Sequence, residues 1–226
     1  MGTDSVKRLL WRGAVDPARL DALVDAACAA RERVEGLIEE GLLLTFGLYH
    51  WERYVFLYYE TLGGDLAPEF VMGGIGDCLE NWPGGEGLRK WIPLIDVFHF
   101  NEPEGLEHWR RKSPVERRLG QIGFLKPETM QHYLFFHYAL QEERSFGGDK
   151  YEIIGLSENI LFAYRERPEV IEAPTRSPRL CSKVVPSNWD EVGIPSCFLP
   201  WPDLPGVYLR PMDELLTCFP RNLSPR

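Results

Sequence analysis

Residues 52–60 read ERYVFLYYE, and residues 158–166 read ENILFAYRE. The two stretches align without a gap, and Glu, Phe, Tyr and Glu recur at identical places. Both are rich in aromatic and aliphatic residues, which is typical of buried strands. Because they lie about half the chain apart, they indicate that the sequence contains two diverged copies of one structural unit.

Two further matches occur in the same order along the chain. Residues 7–17 align with residues 117–127, and residues 93–98 align more loosely with residues 211–216. Each copy therefore reads as strand, helix, two hairpin strands and a closing strand. The pattern predicts an α+β fold made of two ferredoxin-like modules fused in tandem, over residues 6–101 and 114–220.

The helix of the second copy is predicted to begin at Pro127 and to run to about Arg144, because proline is well tolerated at the first helical position. The helix of the first copy is predicted over residues 17–40. The charged stretch 107–118 is interpreted as a solvated surface. The proline-rich stretch 173–211 is interpreted as an ordered loop that wraps the body, because it carries too many aromatic side chains for a disordered tail.

Composition excludes several functional classes. The chain has 226 residues and a formal net charge of -9, which argues against nucleic acid as a partner. Its five cysteines are scattered and form no C-x-x-C pair, so neither a disulfide framework nor a metal site is expected. The sequence shows no signal peptide and no membrane-spanning stretch, so we expect a cytoplasmic protein without a membrane partner.

The helix of the second copy carries the residues with the most chemical potential. Tyr133 and His137 lie one turn apart on the same face. At the aligned places of the first copy stand Leu23 and Ala27, which suit ordinary packing. Polar groups placed where apolar ones suffice cost burial energy unless they are paired, so the contrast points to a pocket in the second copy.

The second copy resembles the L-rhamnose mutarotases. The resemblance is carried by LKPETMQHYLFFH, at residues 125–137, and KYEIIGLSENILFAYRE, at residues 150–166. The string DVFHF, at residues 96–100, resembles the closing strand of that family. The resemblance implies that the two modules pack sheet against sheet as an intramolecular dimeric α/β barrel. The chain would then be either a monomeric pseudo-dimer or a homodimer of the kind usual in the family, and the sequence favours neither.

The resemblance also implies a function. The chain would be a mutarotase or epimerase that interconverts the anomers of a free monosaccharide by acid-base ring opening, with no cofactor and no metal. His137 would be the proton donor, and Tyr133 and Tyr151 would bind and orient the sugar. Glu143 occupies the place of a glutamate of the family, and Trp189 is a candidate for its late tryptophan.

Two alternatives stay open. One is a non-catalytic protein that binds a sugar or another small ligand on the same fold. The other is a cofactor-free monooxygenase-type enzyme on the same barrel, since a fold does not determine its chemistry. A partly exposed His137 that faces the pocket within reach of a hydroxyl would favour the mutarotase, and a His137 held by a protein partner would favour the binding protein. A wholly apolar, sealed pocket would favour the monooxygenase or a purely structural role.

Overall fold

The computed structural model describes residues 5–84, 87–144 and 146–220. Long helices and antiparallel strands alternate along this part of the chain. The helices are α1 (Leu20–Glu39), α2 (Pro68–Met72), α3 (Leu106–Trp109) and α4 (Met130–Glu143). The strands are β1 (Val6–Ala14), β2 (Leu43–Trp51), β3 (Tyr54–Leu62), β4 (Trp82–Gly84), β5 (Gly87–Arg89), β6 (Ile92–Pro93), β7 (Ile95–His99), β8 (Arg117–Phe124), β9 (Gly148–Asp149), β10 (Ile153–Ser157), β11 (Ile160–Arg167), β12 (Ile171–Glu172), β13 (Arg210–Pro211) and β14 (Asp213–Cys218).

Two five-stranded antiparallel sheets form the body of the molecule. The first sheet has the strand order β14-β2-β3-β1-β6, and the second has the order β13-β8-β11-β10-β7. The two orders correspond strand for strand once the copies are aligned, although the closing strands β7 and β14 exchange places. The predicted α+β fold of two ferredoxin-like modules is confirmed.

Equivalent hydrogen bonds show that the two copies share one register. The amide of Val15 donates to the carbonyl of Arg53 over 2.9 Å, and the amide of Leu125 donates to that of Asn159 over 2.8 Å. These four positions are paired by the sequence repeat. Aromatic rings that face inward from the two sheets also pack against their counterparts in the repeat. Tyr58 and Tyr164, for example, stack with ring centroids 3.9 Å apart. The repeat is therefore a two-fold pseudosymmetry of the structure.

Two long closing segments connect the sheets. Residues 92–99 begin as β6 on the edge of the first sheet and continue as β7 on the edge of the second. Residues 210–218 make the reverse crossing through β13 and β14. A backbone hydrogen bond holds each crossing in place. The amide of Leu94 donates to the carbonyl of Leu10 over 3.0 Å, and the amide of Met212 donates to that of Gly120 over 2.9 Å. The division into domains 6–101 and 114–220 stays a prediction. Each of these segments contributes its last strand to the sheet formed by the other segment.

Each long helix covers the outer face of one sheet, and aromatic side chains fill the space between the sheets. On α1 the buried positions recur at helical spacing, with Leu23, Ala27, Ala30 and Val34 against the first sheet. The helix α4 ends at Arg144, which adopts a left-handed conformation with φ of 50°. Within the described residues, no helix is long and apolar enough to cross a membrane.

The prediction of a solvated surface over 107–118 holds for only part of the segment. Residues 107, 110, 112–114, 116 and 117 are exposed, whereas residues 109, 111, 115 and 118 are buried. Trp109 is 0% exposed and Arg111 is 5% exposed. The guanidinium of Arg111 lies between two carboxylates that the repeat aligns, donating to Glu60 over 2.5 Å and to Glu166 over 2.8 Å. Two acids that face each other across the pseudo-two-fold axis require a cation between them, and the linker supplies it.

Candidate functional site

A cavity of about 350 Å³ lies between α4 and the outer face of the second sheet. Its volume is within the range of small-molecule sites. Half of its lining residues carry a ring, and besides Tyr133 and His137 these are Phe98, Phe100, Phe146, Trp189, Phe198 and Tyr208. Phe146 and Tyr208 are 45% and 41% exposed, which places them at the entrance. The cavity therefore offers a small molecule mainly ring and aliphatic surfaces.

His137 is held in one orientation and one tautomer. Its Nδ1 lies 2.9 Å from the carbonyl oxygen of Tyr133, one turn earlier on α4. A carbonyl oxygen only accepts, so Nδ1 carries the proton and Nε2 is the basic nitrogen of the neutral ring. Burial lowers the pKa of His137 to about 4, although the bond to Tyr133 opposes the shift. Among the described residues, Nε2 has no hydrogen-bond partner.

Aromatic rings enclose the imidazole. The ring of Tyr133 stacks on it with centroids 3.9 Å apart. Phe98 and Trp189 present their edges to it at 5.4 Å and 5.5 Å. Burial raises the pKa of the Tyr133 phenol well above its usual range, so that group stays protonated and can donate a hydrogen bond. The result is an unprotonated base in surroundings of low polarity.

Charged groups occupy another part of the wall. Arg165, at the end of β11, forms an ion pair with Glu152, just before β10. Asp149 also lines the cavity, and burial raises the pKa of its carboxyl group to about 6. None of the three was predicted from the sequence. Strand alternation could have identified Arg165, because Leu161 and Ala163 on the same strand face pack against α4.

The structure brings together three of the five predicted site residues. His137, Tyr133 and Trp189 line the cavity, whereas Tyr151 and Glu143 do not. Tyr151 packs against the linker, where the guanidinium of Arg111 lies 4.0 Å from its ring centroid. Glu143 faces the proline-rich segment and accepts a hydrogen bond of 2.5 Å from the hydroxyl of Ser182.

The cavity is completed by segments from other parts of the chain. Residues 189–198 supply Trp189, Ile194 and Phe198, so the proline-rich stretch forms one wall. This stretch contains two short 3-10 helices, Trp189–Val192 and Ile194–Cys197, which orient those side chains. Phe98 and Phe100 come from the closing strand of the first copy and the residue that follows it. Both halves of the chain therefore build the site.

The same place in the first copy is filled. Leu23 and Ala27, the counterparts of Tyr133 and His137, are 0% exposed and belong to an apolar cluster. Val71, Met72 and Ile75, from α2 and the 3-10 helix that follows it, belong to the same cluster. Between helix and sheet, apolar side chains fill the first copy, whereas the second copy has a cavity at the equivalent place.

Within the described residues, no group of three or more His, Cys, Asp or Glu side chains could hold a metal ion. The sequence matches no protein-family model and no curated protein.

Two solved structures align with this chain over nearly its whole backbone. One is a candidate monooxygenase from Lactobacillus acidophilus NCFM, with a TM-score of 0.40 and 7% identity over 97% of both chains. The other is an anthrone oxidase-like protein, with a TM-score of 0.36 and 8% identity over 96% of this chain and 93% of that chain. TM-scores of this size carry no information about a shared substrate.

Proposed function

We propose that the protein is an oxygenase that uses molecular oxygen on a planar aromatic compound with an acidic C–H or O–H group, without a metal or organic cofactor. One observation carries the proposal: His137 is a neutral, buried base with an unpaired Nε2 inside a cavity walled by aromatic rings. Flat rings suit the stacking surfaces, and an apolar site keeps water away from a reactive anion.

The chemistry requires a base and an oxidant. Nε2 of His137 removes a proton from a CH2 group next to a conjugated ring system, leaving a carbanion delocalised over the substrate. The carbanion transfers one electron to O2, and the two radicals combine to form a C–O bond. The peroxide takes a proton back from the imidazolium, and loss of water then leaves a ketone. The reaction balances, because one CH2 group and one molecule of O2 give one ketone carbonyl and one molecule of water.

A pKa of about 4 makes His137 a weak base in the empty cavity. An anion that forms beside the ring changes this, since a neighbouring negative charge stabilises the imidazolium and raises its pKa. Proton removal is thereby coupled to formation of the substrate anion. Burial keeps the imidazole of His137 neutral in the absence of substrate. Once the imidazolium and the substrate anion have both formed, the low dielectric constant of the same site strengthens their attraction.

The structure supports the mutarotase prediction less well. A mutarotase needs a protonated acid for the ring oxygen and several hydrogen-bonding groups for hydroxyls. At neutral pH His137 is in its base form, and Tyr151 and Glu143 lie outside the cavity. A non-catalytic binding protein would use the same cavity, and turnover distinguishes it from the oxygenase.

The proposal is tested with anthrone, a tricyclic ketone whose CH2 group is acidified by conjugation. We expect oxygen uptake above the rate in buffer, with one molecule of O2 consumed for each anthraquinone formed. With ¹⁸O2, one labelled atom should enter the new carbonyl. Binding of anthrone without oxygen uptake would support the binding protein instead. Faster anomer exchange of L-rhamnose, measured by NMR in a parallel sample, would support the mutarotase.

A further inference from the structure

The ion pair between Arg165 and Glu152 lies in the wall of an otherwise largely apolar cavity. Glu152 engages Nη2 of the guanidinium, and the side chain of Arg165 is 29% exposed. In the part of the chain that the structure describes, Nε is buried without a hydrogen-bond partner. The guanidinium is thus held by one acid and keeps unused donor capacity.

The ion pair and the proposed base line the same cavity. Both charges act on the phenol of Tyr133: Glu152 raises its pKa and Arg165 lowers it. The ring of Tyr133 in turn stacks on His137. Tyr133 therefore connects the two groups, with the imidazole against its ring and the guanidinium within electrostatic range of its hydroxyl.

The charges of the wall restrict the ligand. A guanidinium only donates, so its partner must carry an acceptor oxygen. Glu152 already neutralises the charge of Arg165, and Asp149 adds a second carboxyl group to the lining. A carboxylate ligand would face two carboxyl groups whose nearest cations, Arg165 and Arg167, are already paired with them, which is unfavourable in surroundings of low dielectric constant. A carbonyl oxygen avoids this repulsion and still accepts a hydrogen bond.

We propose that Arg165 donates a hydrogen bond to the carbonyl oxygen of an uncharged aromatic ketone and stabilises the enolate that forms when His137 removes the proton. The inference rests on the proposed function, because it names the group that stabilises the anion formed when His137 removes the proton. The C–H electron pair becomes the C=C bond of the enolate, and the carbonyl electron pair moves to the oxygen that faces Arg165. A donor aimed at developing charge acts more strongly in the transition state than in the substrate.

Binding measured under nitrogen tests this without oxygen chemistry. The probes are 9-fluorenone, which has the carbonyl group, fluorene, which lacks it, and 9-fluorenone-4-carboxylate, which adds a negative charge. We expect 9-fluorenone to bind about tenfold to a hundredfold more tightly than fluorene, in line with a hydrogen bond from a charged donor. The carboxylate should bind more weakly than 9-fluorenone. The infrared carbonyl stretch of bound 9-fluorenone should lie at lower frequency than in an apolar solvent.

The variant Arg165→Met combined with Glu152→Gln removes both charges, so no unpaired acid is left. It should bind fluorene as the wild type does, lose the preference for 9-fluorenone, and return the carbonyl stretch towards its apolar value. Equal binding of fluorene and 9-fluorenone by the wild type would overturn the assignment of Arg165, as would an unchanged carbonyl stretch in the double variant. Neither result depends on oxygen uptake. A preference for 9-fluorenone without turnover of anthrone would leave the ligand class standing and remove the oxygenase.

Discussion

Two titratable groups in the cavity have pKa values displaced in opposite directions. Burial lowers that of His137 from 6.5 to about 4 and raises that of Asp149 from 3.8 to about 6. As pH falls from 6.5 to 4, the unfolded state takes up a proton at the histidine first, which destabilises the fold. Over nearly the same range the native state takes up a proton at the aspartate first, which stabilises it. Each effect is roughly 3 kcal/mol at about 1.4 kcal/mol per pKa unit.

The two effects nearly cancel in the wild type, and single variants should reveal them. With His137→Leu, the free energy of unfolding should rise as pH falls from 6.5 to 4, relative to the wild type over the same range. With Asp149→Asn it should fall more steeply than in the wild type. Urea unfolding at a series of pH values measures both slopes. Three parallel curves would show that neither group is buried as the structure has it.

At the scale of elements, the sequence predicts most of what is found. The gapless match of 52–60 with 158–166 predicts the hairpin strands. Pro127 opens the 3-10 turn Pro127–Thr129, which leads directly into α4, so the predicted start of the second helix is three residues early. Leu23 and Ala27 opposite Tyr133 and His137 predict which copy has the pocket. These features depend on local pattern, which the sequence contains directly.

The exchange of closing strands could not be predicted in this way. Either copy of the strand fits either sheet edge, because the repeat makes the two edges alike. The choice depends on the path of residues 92–99 and 210–218, which cross from one sheet to the other. For the same reason Phe98 was not recognised as a wall of the cavity in the second copy. Arg111 was missed because the charge of its segment resembles that of a solvated surface.

The exchanged strand gives a matched test. Phe98 on β7 and Leu216 on β14 occupy equivalent places, and both are buried. Phe98→Leu removes an aromatic edge from His137 and should lower the rate of oxygen uptake about threefold to tenfold, as expected for one aromatic contact. Leu216→Val, far from the cavity, should leave the rate unchanged. Equal rates in the two variants would show that the ring of Phe98 contributes nothing to the site.

At the scale of the whole molecule, the guanidinium of Arg111 bridges the buried acids Glu60 and Glu166 of the two halves. Arg111→Met leaves Glu60 and Glu166 buried without their shared partner and should lower the free energy of unfolding by about 3–5 kcal/mol. Arg117→Met, at an exposed place nearby, should change it by less than about 0.5 kcal/mol. Adding Glu60→Gln and Glu166→Gln to Arg111→Met should restore part of the loss. Denaturant unfolding measures all three, and an unaffected Arg111→Met would contradict the linker's role.

The crossing strands also bear on assembly. Residues 92–99 and 210–218 connect the edges of the two sheets within one chain, so the pairing that a homodimer would supply is already made. We therefore propose a monomer and expect a mass near 26.0 kDa by light scattering over a wide range of concentration. A mass that doubles with concentration would show that a further surface of the barrel is used for association.

The most direct measurement is the rate of oxygen uptake with anthrone in the wild type and in His137→Ala. A positioned base typically contributes about a hundredfold to ten-thousandfold, so the rate above buffer should fall at least a hundredfold. His50→Ala, a buried histidine outside the cavity, should keep the rate of the wild type. Equal rates in the wild type and His137→Ala, with both proteins folded, would contradict the assignment of the cavity as the reactive site.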